Sequence, residues 1–157
     1  MTAQEIVEKL NMLPHPEGGY YVETYRSDKQ IGEHEIVSVI FFLLEPGQVS
    51  YWHKINQDEL WFFHQGNPLE VHCISEDGMC SVVELGPLGL DNYRPQFLVE
   101  ANTIFGSKMK GQDGYSLVSC VVAPGFKFED FKIYTREELI HRFPHLALNI
   151  DRLGCLQ

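Results

Sequence analysis

The chain has 157 residues, 44% of them hydrophobic, and its 12 basic and 22 acidic residues give a formal net charge of −10. This length and apolar content predict one domain, residues 1–157, with a packed core. The negative charge argues against binding to nucleic acid or to an anionic membrane surface, because both need an excess of basic side chains.

The composition also predicts a chain that is neither exported nor inserted in a membrane. The longest strongly apolar run, residues 39–44, is too short to span a bilayer. No basic segment followed by an apolar stretch marks a secretion signal. The four cysteines are widely spaced and form no C-x-x-C pair, so we expect reduced thiols and a cytoplasmic location.

A short helix is predicted at the start of the chain. Thr2 and Glu5 have the spacing of a capping box, and the apolar residues that follow recur at helical spacing. Pro14 and Pro16 then end the helix.

From Tyr20 onward, short runs with strand character alternate with turns rich in Gly, Pro and Asp. The predicted strands are residues 20–25, 36–44, 48–53, 59–64, 69–74, 79–85, 96–99, 103–107, 115–122 and 126–133. Residues 36–44 are apolar on both faces, which is typical of a central strand. So many short strands predict an all-β sandwich or barrel.

The end of the chain is predicted to be helical again. Thr135 and Glu138 form a second capping-box pattern ahead of an apolar run. Pro144 interrupts this helix, and one or two further turns extend to Leu153 before Gly154 ends them.

One stretch in the middle of the chain, GQVSYWHKINQDELWFFHQG, combines histidines, carboxylates and tryptophans. The spacing of Gly47, His53, Glu59 and Gly66 resembles the first motif of the cupin superfamily, G-x5-H-x-H-x3-4-E-x6-G. In cupins this motif forms two antiparallel strands, which implies that His53 and Glu59 face each other inside a barrel. The second histidine of the motif is replaced by Ile55.

Other segments carry the resemblance over nearly the whole chain, from about Leu10 to Leu153. They are LPHPEGGYY, DELW, GNPLEV, LGPLG, VAPGFKFEDF and REELIHRFP. Together they resemble the small cupin-5 branch, a domain of unknown function. The resemblance implies a cupin double-stranded β-helix, a jelly-roll barrel, with short N-terminal and C-terminal helices. It also implies a fold similar to that of sugar epimerases, and a homodimer.

The resemblance predicts a site without metal or other cofactor. The second cupin motif matches best at residues 100–105, where Phe105 takes the place of the last metal-ligating histidine. With Ile55 also in a ligand position, one imidazole and one carboxylate remain, and such a pair holds a transition metal poorly. His64 or His72 would have to replace the lost ligands, and strand alternation points His64 out of the barrel.

His53 and Glu59 are the candidate catalytic residues. His53 is expected to act as a base, with Glu59 as its orienting partner or as the complementary acid. Tyr51 or Tyr134 is expected to supply a second proton. The predicted ligand-binding residues are Tyr51, Trp61, Phe63, Phe105, Glu17 and Tyr134. The alternative is a hydrogen-bonded remnant that only holds the hairpin together, but a buried carboxylate is costly unless it is used or satisfied.

Three of these ligand-binding residues have a structural alternative. Trp61 and Phe63 share the expected inward face of their strand, where aromatic side chains form either core or flat walls for a ring or sugar. Glu17 lies in a His-Pro-Glu-Gly-Gly segment, for which a tight turn is favoured and a role at the barrel mouth is the alternative.

Three functions fit these residues. The leading hypothesis is a metal-free cupin that binds a small polar or carbohydrate-like ligand and transfers protons, as an isomerase or epimerase does. The runner-up is a non-catalytic module that binds the same unknown small molecule. The third is a metal-dependent oxygenase or isomerase that uses His53, Glu59 and recruited ligands.

A homodimer is predicted from the number of aromatic residues in the strands. They exceed what the inside of one small barrel holds, so some must point outward, and an outward apolar patch marks an interface. The expected contact elements are residues 20–25 and the sheet that carries Tyr51 and Phe62.

Overall fold

The computed structural model describes residues 1–89 and 92–156, and there two antiparallel sheets form a barrel with short helices near both ends. This confirms the predicted jelly-roll architecture. The helices are α1 (Ala3–Leu10), α2 (Arg136–Arg142) and α3 (Ala147–Leu153), with single 3-10 turns at Phe128–Asp130 and Pro144–Leu146. The strands are β1 (Leu13–Pro14), β2 (Tyr20–Arg26), β3 (Gln30–Ile31), β4 (His34–Glu35), β5 (Ser38–Leu44), β6 (Val49–Lys54), β7 (Asp58–Gly66), β8 (Leu69–Ile74), β9 (Cys80–Leu85), β10 (Gln96–Val99), β11 (Ile104–Met109), β12 (Ser116–Ala123) and β13 (Lys132–Ile133).

The two sheets of the barrel join strands that are distant in the sequence. The larger sheet has the order β1-β2-β5-β12-β7-β10 and the smaller one the order β13-β6-β11-β8-β9. β12 lies between β5 and β7, and β11 lies between β6 and β8. Each central strand is therefore supplied by the second half of the chain and inserted into the first half, as in a jelly roll.

Period-two alternation divides the apolar residues between the inside and the outside of the barrel. The inside is one cluster to which both sheets contribute; its members include Phe42, Leu44, Trp61, Leu69, Val71, Leu85, Phe105, Val118 and Cys120. This packed part fills one region of the barrel, so any open space must lie beside it.

Short helices cover part of each outer sheet face. Ile6 of α1 packs with Leu43 and Leu117 of the larger sheet. Leu139 and Ile150, from α2 and α3, pack with Trp52 of the smaller sheet. The Trp52 indole N–H donates to the Ile150 carbonyl at 3.2 Å. Both predicted capping boxes are present, on α1 and α2.

The predicted strand at residues 126–133 is wrong. Most of this segment is a loop with a 3-10 turn, and only Lys132–Ile133 pairs with β6. Its first backbone N–H, that of Phe126, donates to the Ser38 side chain at 2.9 Å instead of to a neighbouring strand. The apolar residues of the segment cover a cavity, so their alternation does not report a pleated strand.

Other differences are short shifts at the ends of elements. The predicted strand 36–44 begins at Ser38. The strands β1, β3 and β4 were not predicted, because two residues are too few to show a period.

A β-bulge in β6 sets the geometry of the barrel interior. His53 lies opposite Phe105 and Ser50 opposite Ser107, so three steps along β6 match two along β11. Such a bulge shifts by one residue the alternation of side chains between the two faces of the strand. It brings Ser50 and His53 to the same side although their spacing is odd. Tyr51 lies within the bulge, and its N–H donates to the Glu17 carbonyl at 2.7 Å.

Among the described residues, no helix has the length and apolar character needed to cross a membrane. All four cysteines are free thiols.

Gly18 tests how the loop between β1 and β2 is attached to β6. Its φ is +107°, and an added Cβ would lie 2.0 Å from the Val49 carbonyl oxygen. We predict that Gly18→Ala lowers the free energy of unfolding by more than about 2 kcal/mol, because backbone strain and a clash with backbone act together. Chemical denaturation measures the loss.

Gly32 is the matched control for this substitution. Its φ is +63°, and nothing lies within 4 Å of an added Cβ. Gly32→Ala therefore carries only the left-handed penalty, about 1 kcal/mol. Equal losses for the two variants would contradict the close contact of the loop with β6.

Candidate functional site

A cavity of about 300 Å³ lies inside the barrel beside the packed core. Its lining comes from the β1–β2 loop, from β2, β5, β6, β7 and β12, and from residues 125–131, which we call the aromatic loop. The polar lining residues are His15, Glu17, Glu23, Arg26, Ser38, His53, Glu59 and Cys120. The apolar and aromatic ones are Tyr21, Ile40, Phe42, Ile55, Val122, Phe126, Phe128 and Phe131.

The central feature of the cavity is a close pair of buried side chains, Glu17 and His53. His53 Nε2 lies 3.1 Å from Glu17 Oε2, and the two residues are only 2% and 6% exposed. On the other side of the imidazole, Nδ1 lies 2.7 Å from the Tyr51 carbonyl oxygen. The bulged residue Tyr51 thus fixes both partners through its backbone, Glu17 by its N–H and His53 by its carbonyl.

The contacts of His53 define its tautomer. A carbonyl oxygen accepts only, so Nδ1 of His53 carries a proton and donates it to the Tyr51 carbonyl. In the neutral ring Nε2 then bears no proton, and it lies 3.1 Å from Glu17 Oε2. Burial lowers the pKa of His53 to about 4 and raises the pKa of the Glu17 carboxyl. At neutral pH His53 is therefore a neutral ring with its proton on Nδ1.

Two neighbours orient the Glu17 carboxyl. The Ser50 hydroxyl donates to Glu17 Oε1 at 2.7 Å. The Glu17 backbone N–H donates to His15 Nδ1 at 3.2 Å, so this nitrogen of His15 bears no proton. Burial also lowers the pKa of His15. His15 is accordingly a neutral ring, with its proton on Nε2.

Glu59 is the second buried carboxyl of the cavity. Burial, and then the charge of Glu17, raise its pKa to about 8. The Cys120 thiol and the Trp61 indole lower the pKa of Glu59 by a smaller amount. Within the described part of the chain, Trp61 Nε1 has no hydrogen-bond partner at normal geometry. Burial raises the pKa of Cys120 well above its ordinary value, so this side chain is a neutral thiol. Glu59 is mostly protonated at neutral pH and is an acid by environment.

Arg26 and the aromatic loop form the rim of the cavity. The guanidinium bonds to both carboxylate oxygens of Glu23, at 2.7–3.1 Å, and to Glu35 at 3.0 Å. It also donates to the Phe126 carbonyl at 3.0 Å, which ties the aromatic loop to β2. Phe128 is 53% exposed although it lines the cavity.

The structure brings His53, Glu59 and Glu17 together, as three lining residues of one cavity. The carboxyl in contact with His53 is that of Glu17, not that of Glu59 as the motif suggested. Glu17 reaches His53 because its loop is held against the β6 bulge, a contact that motif spacing along β6 and β7 does not encode.

The other predicted site residues lie outside the cavity lining. Trp61 and Phe105 are core residues, 1% and 0% exposed, and the Phe105 ring supports His53 with centroids 4.2 Å apart. Phe63 packs partly buried against the same core. Tyr134 is buried beneath the C-terminal helices. Tyr51 contributes its backbone alone, so neither tyrosine is placed to give a proton to a ligand in the cavity.

Several lining residues were missed by sequence reasoning. Cys120 and Val122 lie at period-two spacing on β12, and strand pairing would have placed Val122 beside Glu59. His15, Arg26 and the phenylalanines of the aromatic loop reach the cavity through loops and a strand edge. No spacing in the sequence marks those positions.

The residues at the cupin ligand positions do not fit a metal ion. Ile55 lines the cavity and Phe105 packs on His53, so two of the four positions are hydrocarbon. His64 lies on the outer face and bonds to the Ser119 hydroxyl at 2.8 Å. His72 bonds to Glu70 at 2.8 Å, away from the cavity. Within the described ranges, no group of three His, Cys, Asp or Glu side chains is arranged to hold a metal.

Comparison with solved structures gives two close matches of nearly equal length. A protein of Shewanella oneidensis is 38% identical, with a TM-score of 0.94 over 100% of this chain and 99% of that one. A hypothetical protein from Leishmania major is 34% identical, with a TM-score of 0.92 over 99% of this chain and 100% of that one.

More distant matches share only the fold. Oxalate decarboxylase from Bacillus subtilis is 14% identical, with a TM-score of 0.60 over 90% of this chain and 36% of that one. No curated protein matches this chain.

The sequence also matches a family directly. Residues 4–134 match the Cupin-5 family, described as "Cupin superfamily (DUF985)". That range contains β1 to β13 and all the residues that line the cavity. The chain therefore belongs to the cupin superfamily, in its Cupin-5 (DUF985) branch.

Proposed function

We propose that this protein binds a small polar or carbohydrate-like ligand inside the barrel and transfers protons on it, in a reaction of the isomerase or epimerase type. The observation that carries the proposal is the 3.1 Å contact between Glu17 and His53 inside a cavity that also holds Glu59. A base and an acid with separated proton affinities in one buried site are what such a reaction needs.

The Glu17–His53 pair supplies the basic function. When the Glu17 carboxyl passes its proton to His53 Nε2, 3.1 Å away, the resulting carboxylate accepts a proton from a carbon next to a ligand carbonyl. The Ser50 hydroxyl and the Tyr51 backbone hold the pair in place during this transfer. Glu59, protonated near neutral pH, gives its proton to the ligand carbonyl oxygen. Reversal of both transfers, with the carbon proton returned at another position or face, completes the reaction without net proton change.

The size of the cavity limits the ligand. About 300 Å³ is at the lower end of small-molecule sites and suits a single sugar ring or a molecule of similar bulk. Tyr21, Phe42 and the aromatic loop provide flat apolar walls for such a ring. None of these steps uses a metal.

One observation favours the second candidate, a binding module without turnover. The pKa of His53 is lowered to about 4, and a general base works best with a pKa near the working pH. In this alternative Glu17, His53 and Glu59 serve as hydrogen-bonding groups for the same ligand.

We also propose a reduced, cytoplasmic environment. Its support is the four free cysteines, which the fold does not bring into disulfide bonds.

A solvent-exchange experiment separates catalysis from binding. Unphosphorylated aldoses, ketoses and amino sugars are incubated with the protein in deuterated water, and NMR measures deuterium at the carbon next to the carbonyl. We expect exchange with at least one sugar. His53→Ala and Glu17→Gln are each expected to slow it about 100-fold or more, since both remove the proton-accepting pair.

Glu137→Gln is the control, because Glu137 is an exposed residue of α2. Exchange at an equal rate with and without His53 would overturn the catalytic proposal. Binding of a sugar without exchange would instead support the binding module.

The raised pKa of Glu59 predicts a pH-dependent stability. In the folded chain this carboxyl keeps a proton up to about pH 8, whereas its ordinary pKa is 4.5. Unfolding therefore releases a proton, and stability falls as pH rises through this range. Between pH 6.5 and 8, above the ordinary pKa of His53, Glu59→Gln should lessen the fall by up to about 1.4 kcal/mol per pH unit. Denaturant titrations at several pH values measure both slopes, and parallel slopes would exclude a protonated Glu59.

A homodimer is proposed on the outer face of the larger sheet. Strand register aligns one apolar row across five strands, and its members are Tyr25, Val39, Val121, Leu60 and Leu98. Tyr25 and Leu98 are 54% and 40% exposed, and an exposed apolar row is an interface candidate.

Phe62 belongs to this sheet, but Tyr51 belongs to the smaller sheet, so the predicted common surface for Tyr51 and Phe62 does not exist.

Light scattering tests the dimer. We expect a mass of about twice the single-chain 18.1 kDa, and Leu98→Glu should shift it toward the monomer, because a charge would be buried at the interface. Leu148→Glu is the control, since Leu148 is 86% exposed on α3. A monomeric wild-type chain, unchanged on concentration, would refute the proposal.

A further inference from the structure

The described lining of the cavity holds more carboxyl groups than Lys and Arg side chains. Among the lining residues that the structure describes, three are carboxyls, Glu17, Glu23 and Glu59, and Arg26 is the single Lys or Arg. Arg26 is already bound by two carboxylates, those of Glu23 and Glu35. Its charge is therefore compensated before any ligand enters.

The two histidines do not supply the missing positive charge. His15 accepts a hydrogen bond at Nδ1 from the Glu17 backbone and is a neutral ring. His53 is also a neutral ring at pH 7, because burial lowers its pKa to about 4. Among the described lining residues, Glu59 therefore has no cationic partner, and burial keeps it mostly protonated before any ligand enters. An ammonium group beside it would compensate its charge and allow it to ionise.

The walls around these carboxyls are aromatic. Phe126, Phe128 and Phe131 stand nearly perpendicular to one another, with ring centroids 4.9–6.2 Å apart. Tyr21 and Phe42 line the adjacent wall and pack against His15, with centroids 4.7 Å and 5.9 Å away. Aromatic rings next to a carboxyl are the surroundings that favour an ammonium group.

We propose that the ligand of this cavity is a small organic cation, with its ammonium group at Glu59 and its apolar body against the aromatic loop. This inference rests on the proposed function only in placing the ligand in this cavity, and it adds the chemical class of that ligand. Anionic ligands such as sugar phosphates are disfavoured, because the described lining offers them carboxyls and no cation that is free of a carboxylate partner. The formal charge of −10 also attracts cations to the molecule.

Three probes with one tert-butyl body test the charge preference: tert-butylammonium, tert-butanol and pivalate. Binding is measured at pH 7 by NMR titration of the histidine and aromatic side-chain resonances. We expect tert-butylammonium to bind at least about tenfold more tightly than tert-butanol, as a cation near aromatic rings and a carboxyl gains at least that much. Pivalate should bind most weakly.

Two variants separate the contributions of charge and aromatic rings. Glu59→Gln removes the carboxyl and should cut the advantage of the cation over the alcohol. Phe128→Leu keeps an apolar side chain at an exposed position but removes the ring, so it should weaken binding of the cation and leave that of tert-butanol unchanged. Leu148→Ala, on an exposed site of α3, should change neither.

Equal affinities for the three probes, tightest binding of pivalate, or binding of none would each overturn the inference. The solvent-exchange experiment with neutral sugars is independent of this result. Exchange on a neutral sugar together with equal probe affinities would leave the proposed function standing and remove only the cation preference.

Discussion

The candidate site depends on one local irregularity, the bulge at Tyr51 in β6. In a regular strand, Ser50 and His53 would point to opposite faces. The extra residue turns both toward Glu17 and frees the backbone N–H and carbonyl of Tyr51 from the ladder with β11. Those two groups hold the Glu17 loop and the His53 ring. The bulge thus sets the distance between Glu17 and His53 and the tautomer of the imidazole.

The surroundings of Glu17 and His53 explain why their pKa values are shifted. Water that would solvate a charge is replaced by Phe105 behind His53 and by aromatic rings in front, so the neutral forms are favoured. The two carboxyls also oppose each other's ionisation. Ile55 and Phe105 occupy two of the ligand positions of the cupin motifs, so the imidazole and carboxyls that line the cavity do not fit a transition metal.

The aromatic loop connects the site to the surface. It has few backbone partners in the sheets and is tied down by polar contacts, among them Arg26 to the Phe126 carbonyl and Gln57 to Asp130. Its phenylalanines cover the cavity and leave one ring, Phe128, largely exposed. The same segment therefore shapes the cavity wall and borders the solvent.

The sequence alone determined the architecture, because alternating apolar runs, capping boxes and the Gly47–Gly66 spacing are local patterns. It also marked His53 and Glu59, since motif spacing fixes which strand positions face inward. It did not determine the partner of His53, the role of residues 126–133, or the absence of Tyr51 and Tyr134 from the cavity. The bulge, the loop crossing at Gly18 and the packing of the C-terminal helices decided these. They arise from contacts between residues distant in the chain, which leave no period or spacing to recognise.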